Sequence, residues 1–475
     1  MEPTTSTATP TPEQSSTDGL APGRLGVAAI VFFVMSAAAP LTVVVSGAPF
    51  AVLLGGVGGP GAMLAAGVVL MLFAAGFTAM SRHVTNAAAF YAYATQGLGR
   101  VVGSATAVMT TAGYVLLLLS FYGYAAFYGQ SVIEDMAGVD VPWWALGLAI
   151  VAAIGFIGAR NVEVGARFLA VLLTAEVALL AGVSIAVLVR GGPEPLSLAP
   201  FDPGNWLVGP GAAALFVLAF GSYIGFEGTA IYAEEARHPH RTIPRATYVA
   251  VAFLALFYAF SFWCFVTAFG VEGVIGAVAS PDFADLPFVQ AQDYLGTWAM
   301  KVMEVLIVTS FLACLISFQN AASRYLFSLG REGLLPGWLG HTDPRHSSPA
   351  RASHVLMGLG IATVALCAVA GWDPLLDLGL LPYAAGVASI IAAQAICAVA
   401  VVAFFARDRR GFSVFRALIA PGLGALGLLT GLYLVVSHFD IASAQTGFAN
   451  VILLTIPVLF FIGGGVRALM TAERD

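Results

Sequence analysis

Charge is what this sequence most lacks. Only 10% of its residues are charged, and it has a single lysine, Lys301. Soluble domains average about 25% charged residues. So little charge cannot clothe a water-facing surface of this size, which excludes an ordinary soluble enzyme or scaffold. Cysteine is equally sparse. Cys264, Cys314, Cys367 and Cys397 each lie within an apolar run, and none belongs to a CxxC pair. A disulfide framework and a cysteine-ligated metal are therefore not expected. The seven histidines do not gather within apolar segments; His238 and His240, like His341 and His346, fall between them. No accessible nucleophile stands with a base. An integral-membrane enzyme, a cofactor and a metal are accordingly not expected. The first twenty residues are rich in Thr, Ser and Pro and contain no base, unlike a secretory signal. They are expected to form a disordered cytoplasmic tail.

What the sequence has in abundance is apolar length: 59% of it is hydrophobic. A helix needs about 20 apolar residues to cross a bilayer. Twelve such stretches are predicted, at 25–52, 60–80, 101–130, 143–159, 166–189, 208–233, 247–270, 296–322, 353–371, 381–405, 414–437 and 448–469. The bases order them. With the N-terminus inside, the inner segments hold Arg24, Arg82, Arg100, Arg160, Arg167, Arg237, Arg241, Arg245, Arg324, Arg331, Arg345, Arg351, Arg407, Arg409, Arg410, Arg416, Arg467 and Arg474. Only Arg190 and Lys301 fall near the other face. That asymmetry obeys the positive-inside rule and supports the even span count, with both termini cytoplasmic in an inner or plasma membrane. The bases are spread over every inner loop rather than gathered on one patch, so nucleic acid is not an expected partner.

Two spans contain helix-breaking chemistry. The first reads Ser36-Ala37-Ala38-Ala39-Pro40-Leu41, where Pro40 has no N–H and crowds the turn before it. The sixth reads Phe220-Gly221-Ser222-Tyr223-Ile224-Gly225, with two glycines four apart. Either alone reads most simply as a kink or a close-packing seam. Together they occupy corresponding places in two five-helix halves, the sign of an inverted-repeat transporter. Unwound backbone at mid-membrane depth must meet a polar cavity or a ligand. That favours a carrier over a channel, and small solutes over macromolecules.

Three carboxylates lie inside spans: Glu176, Glu227 and Glu304. Acids there are costly and are functional candidates. Glu176, midway along the fifth span, is the candidate for carrying a coupling proton; a neutral, hydrogen-bonded structural role is the plainer alternative. Glu227 follows the second break and suits a structural or gating role on the freed backbone. Glu304, near an outer helix end, is expected to reach water. Tyr114, Tyr122, Tyr124 and Tyr128 stripe the third span; Tyr114 is the one expected to face a central cavity.

The run Phe226-Glu227, Ala233-Glu234-Glu235-Ala236-Arg237, Pro239 and Ile243-Pro244-Arg245-Ala246 resembles the helix 6–7 signature of the amino acid–polyamine–organocation (APC) superfamily. So do Asn320-Ala321-Ala322-Ser323-Arg324 with Leu329-Gly330-Arg331-Glu332-Gly333-Leu334-Leu335-Pro336, and, less strongly, Ala88-Ala89-Phe90-Tyr91-Ala92-Tyr93. The resemblance implies an all-α, leucine-transporter-like fold. Its repeats would span 21–189 and 208–405, with 414–469 as peripheral helices. It implies a substrate between Ser36–Leu41 and Phe220–Gly225, and amino acid transport by proton-coupled symport or exchange. Many members have a glycine-rich first break that wraps the substrate carboxylate. Here Ser36-Ala37-Ala38-Ala39-Pro40 stands in its place, so an amine or polyamine is the alternative substrate. Some proton-coupled relatives resemble one another in having a lysine where Glu176 aligns.

Overall fold

The computed structural model describes residues 26–84, 89–160, 166–231, 236–343, 345–346 and 348–472. The expected N-terminal tail lies outside them, as does Ala233-Glu234-Glu235 of the helix 6–7 motif. The described residues form helices joined by turns, and eleven helical segments are long and apolar enough to cross a membrane. A twelfth, Gly211–Gly221, is shorter, because the sixth span is interrupted.

The first span is two helices, α1a (Val27–Ala38) and α1b (Pro40–Gly55). Then come α2 (Gly59–Met80), α3 (Arg100–Ala137), α4 (Trp143–Arg160) and α5 (Ala166–Arg190). The sixth span is α6a (Gly211–Gly221) and the single turn α6b (Gly228–Ile231). The rest are α7 (Pro239–Phe269), α8 (Thr297–Arg331), α9 (Ala350–Ala370), α10 (Leu381–Arg407), α11 (Ala420–Ser437) and α12 (Phe448–Ala472). One-turn π-helical segments, Leu376–Leu380 and Phe415–Ile419, lead into α10 and α11. Two short helices, Val271–Val278 and Leu286–Leu295, lie in the connection between α7 and α8.

Burial separates the helices into core and periphery. Over their most apolar stretches α2, α3 and α10 are about two-thirds buried, whereas α12 is 22% buried. Lipid tolerates an apolar outer face as readily as protein does, so the inward face is set by packing rather than by polarity. α7 packs on α2, α10 and α12 on α3, and α9 on α4. The first interrupted helix packs against α7 and α8, and α6a against α1b, α2 and α11.

Each interruption has a local cause. Pro40 disfavours the α conformation in the residue before it. Ala39 accordingly leaves the helix at φ 43, ψ 73, a left-handed conformation, while its N–H still closes on Met35 O at 2.9 Å. In the sixth span the chain passes through successive i to i+3 turns. Tyr223 N bonds Phe220 O, Ile224 N bonds Gly221 O, and Phe226 N bonds Tyr223 O, at 3.1–3.2 Å. Gly225 then adopts φ +112, which side-chain-bearing residues rarely do, and lies against Ala37 of the first break.

Candidate functional site

The two breaks enclose a cavity of about 40 Å3, room for about three water molecules. From α1a and the first break come Ala37, Ala38 and Ala39, and from α1b come Thr42, Val43, Ser46, Gly47 and Phe50. The sixth span supplies Leu218, Gly221, Ser222 and Ile224. Facing them are Phe121 and Tyr124 of α3, Cys314 and Phe318 of α8, and Tyr383 of α10. None of these side chains is charged. The charge in the site is that of the backbone: α1b starts here, presenting the positive end of a half-helix, and α1a and α6a finish here with carbonyl-rich, negative ends.

Protein groups already occupy part of that backbone. The Tyr258 hydroxyl donates to Ala38 O at 3.1 Å, and Cys314 Sγ lies 3.6 Å from Ala37 O. Beneath Gly221 the packing is tight. A Cβ added there would collide with the Tyr383 hydroxyl and stand 2.9 Å from Val387 Cγ2.

Glu176 stands behind the first break. Its residue is 3% exposed, and its carboxylate accepts a hydrogen bond from Ser310 Oγ at 2.9 Å. The Ser310 oxygen itself accepts from Thr42 Oγ1 at 3.0 Å. The carboxylate also lies beside the backbone of Leu41. Leu41 is in the first turn of α1b, where N–H groups have no intrahelical partner. Glu176 of α5 thus stands beside the start of this half-helix, where Ala39 has no capping side chain. A pocket of about 10 Å3 adjoins it, lined by Ser36, Ala39, Leu172, Leu173, Thr309, Ser310 and Ala313. The Ser36 hydroxyl is buried with no hydrogen-bond partner among the described residues.

Glu227 stands at the second break. It is 3% exposed. Oε2 accepts the Gly225 N–H at 3.1 Å, and Oε1 accepts the Tyr114 hydroxyl at 2.5 Å. A backbone donor freed by the left-handed glycine thus finds an acceptor two residues away.

A model of the amino acid permease family matches residues 25–462. The chain belongs to that family. Over 366 residues it is 25% identical to the low-affinity putrescine importer PlaP of Escherichia coli (strain K12), covering 74% of this chain and 76% of that one. It is 26% identical over 315 residues to the L-lysine transport protein of Corynebacterium glutamicum (strain ATCC 13032), covering 62% and 59%. The structure matches the crystal structure of MhsT in complex with L-phenylalanine at a TM-score of 0.59 and 16% identity, covering 89% of this chain and 99% of that one. That likeness shows the fold, which is leucine-transporter-like, and the family shows that the protein is a transporter rather than an enzyme.

Within this permease the sequence-nominated residues divide. Ala37, Ala38, Ala39, Gly221, Ser222 and Ile224 meet at the central cavity. Ser36 lies at the pocket beside Glu176. Pro40, Leu41, Phe220 and Gly225 are buried or half-buried but do not line the cavity. Tyr223 points away: its hydroxyl donates to Met63 O at 2.8 Å and its ring meets Tyr258 edge-on. Tyr114 also lies outside the cavity, stacked on Tyr325 and bonded to Glu227. Glu304, expected to reach water, is 7% exposed instead, with Oε2 at 3.3 Å from Lys301 Nζ; that lysine also pairs with Asp135. Sequence reasoning missed the aromatic walls, Phe50, Phe121, Tyr124, Phe318 and Tyr383.

Proposed function

We propose that this permease carries a zwitterionic α-amino acid across the plasma membrane by alternating access, with the substrate held between the two breaks. The observation that carries this reading is the cavity between two interrupted helices whose lining has no charged side chain. The start of α1b suits a carboxylate, and the carbonyl ends of α1a and α6a suit an ammonium group. Both substrate charges are then met by fixed dipoles, and the aromatic walls are left for an apolar side chain. The alternative, an amine or polyamine, is the substrate for which one relative, the putrescine importer, is named. A dication would need acidic partners in a site that excludes water, and Glu176 and Glu227 are both engaged behind the breaks instead. The absence of acid from the lining favours the amino acid.

In this reading Glu176 couples transport to the proton gradient, in symport or exchange. Its carboxylate joins α5, α8 and the start of α1b, so a change in its protonation alters the contact between the broken helix and the helices around it. Residues 21–189 and 208–405 form the two repeats, 414–469 are peripheral, and the basic end of the bundle faces the cytoplasm. Membrane lipid surrounds the outer helices.

A thermal-shift panel on the purified protein tests the substrate class. A ligand that binds only the folded state stabilises it by about 2.7 kcal/mol at a hundredfold excess over its dissociation constant. Phenylalanine, leucine and other apolar amino acids are compared with their decarboxylated amines and with putrescine. A shift with an amino acid but not with its amine is the expected result. A shift with putrescine or a simple amine alone would overturn the assignment.

A further inference from the structure

At the end of the bundle that holds most of the bases, two arginines lie together without an acid. Arg82 follows α2, and Arg416 lies in the π-helical turn that opens α11. Both guanidiniums sit on the ring of Phe412, with Cζ 5.5 Å and 5.2 Å from its centroid. His83 meets the same ring edge-on at 6.0 Å. Nε of each arginine is buried without a hydrogen-bond partner. Neither arginine has a carboxylate within 4.0 Å among the described residues. Arg416 Nη2 reaches Thr78 Oγ1 only at 3.5 Å, the outer limit of a hydrogen bond. Burial, and then the neighbouring Arg416, hold Arg82 below the usual arginine range.

The loop that carries Phe412 is held in a constrained conformation. Arg410 adopts φ +49 and Gly411 φ +81, and the Arg410 N–H is tied to Asp408 Oδ1 at 2.9 Å. The turn closes with Phe412 N on Arg409 O at 2.9 Å, and Arg410 lies over Phe404 with Cζ 4.6 Å from its centroid. A left-handed non-glycine residue persists only where its surroundings impose it. The fold thus holds like charges together around one ring and leaves Nε of each without an acceptor. Such an arrangement is stabilised by an anion that accepts from both forks. Next to the arginines the surface turns apolar and open: Val414, Phe415 and Ile419 are 44%, 58% and 47% exposed. A ligand there meets donors at one end and an apolar face at the other.

We propose that Arg82 and Arg416, brought together on Phe412 between α2 and α11, bind the phosphate of an anionic phospholipid, whose acyl chains lie along the exposed face of Phe415 and Ile419. A phosphodiester presents two free oxygens to two guanidiniums, and basic pockets between helices at the inner leaflet are suited to such headgroups. Free phosphate shares the acceptor chemistry but not the acyl chains.

The full chain, purified in detergent, is titrated with dioleoylphosphatidylglycerol, dioleoylphosphatidylcholine or sodium phosphate while thermal unfolding is followed. The glycerol lipid is expected to stabilise at a concentration at least tenfold below the choline lipid, and phosphate ion is expected to have no effect. Arg82→Gln with Arg416→Gln should raise the half-maximal concentration of the glycerol lipid at least tenfold, whereas Arg82→Lys with Arg416→Lys should keep most of the response. Should the double glutamine variant fail to fold, Arg416→Gln alone is measured, together with lipid retention by the unaltered protein in native mass spectrometry. Equal stabilisation by the choline lipid, an equal effect of phosphate ion, or an unchanged response in the glutamine variants would each overturn the proposal.

Discussion

Gly225 is where the two interrupted helices touch, and replacing it with alanine probes that junction directly. Its φ of +112 lies where an L side chain is strained, and an added Cβ would stand 2.9 Å from Ala37 Cβ. The backbone strain costs about 1–3 kcal/mol, and the crowded contact a similar amount, about 1–3 kcal/mol. The segment can escape both only by moving. Movement withdraws the Gly225 N–H from Glu227 and displaces Ser222 and Ile224, which line the cavity. A penalty of at least about 2 kcal/mol on the binding geometry corresponds to roughly thirtyfold in affinity. Gly228, three residues on, is the control, because a Cβ there meets nothing within 4 Å. Affinity and melting midpoint are measured for Gly225→Ala and Gly228→Ala with the amino acid identified in the ligand panel. Gly225→Ala is expected to lose both binding and stability, and Gly228→Ala neither. Wild-type affinity and stability in Gly225→Ala would refute the idea that the contact between the breaks shapes the site.

Two further predictions address the remaining parts. Gly221→Val places side-chain atoms where the Tyr383 hydroxyl lies, and should abolish binding in a protein that still elutes as a monodisperse species; normal affinity in that variant would count against the site. Glu176→Gln should abolish gradient-driven accumulation in proteoliposomes while leaving substrate exchange largely intact, and unchanged accumulation would remove Glu176 as the coupling group.

What the sequence makes legible follows from chemistry that acts locally. Pro40 acts on the residue before it, and the structure interrupts the first helix at Ala39. The glycines at 221 and 225 bracket the turns of the sixth span. The bases fall near or beyond the ends of the apolar stretches because charge is costly in hydrocarbon regardless of tertiary detail. The opposite wall of the cavity is different in kind. α3 is apolar around its whole circumference for much of its length, so periodicity does not say which face turns inward, and nothing in the pattern encodes depth along the bilayer normal. Tyr114 and Phe121 both touch Phe318, so they lie along one seam, yet only Phe121 reaches the cavity. Glu304 illustrates the same limit: its place near a helix end suggested water, but its neighbours bury it. The arginine pair on Phe412 was visible only as two bases in different inner segments, since its closeness depends on how α2 and α11 pack.

Ala39 gives the first break a property that glycine would not. An L residue in the left-handed region costs roughly 1–2 kcal/mol, so the backbone at φ 43 is under tension in this conformer. The Tyr258 hydroxyl on Ala38 O and the Ala39 N–H on Met35 O hold it there. Any conformer in which Ala39 relaxes to the extended geometry that Pro40 permits recovers that energy, a bias of roughly five- to thirtyfold in population. One methyl group therefore makes the hinge a loaded spring: departure from this state is driven by the chain itself, and return to it depends on the clasps that surround the break.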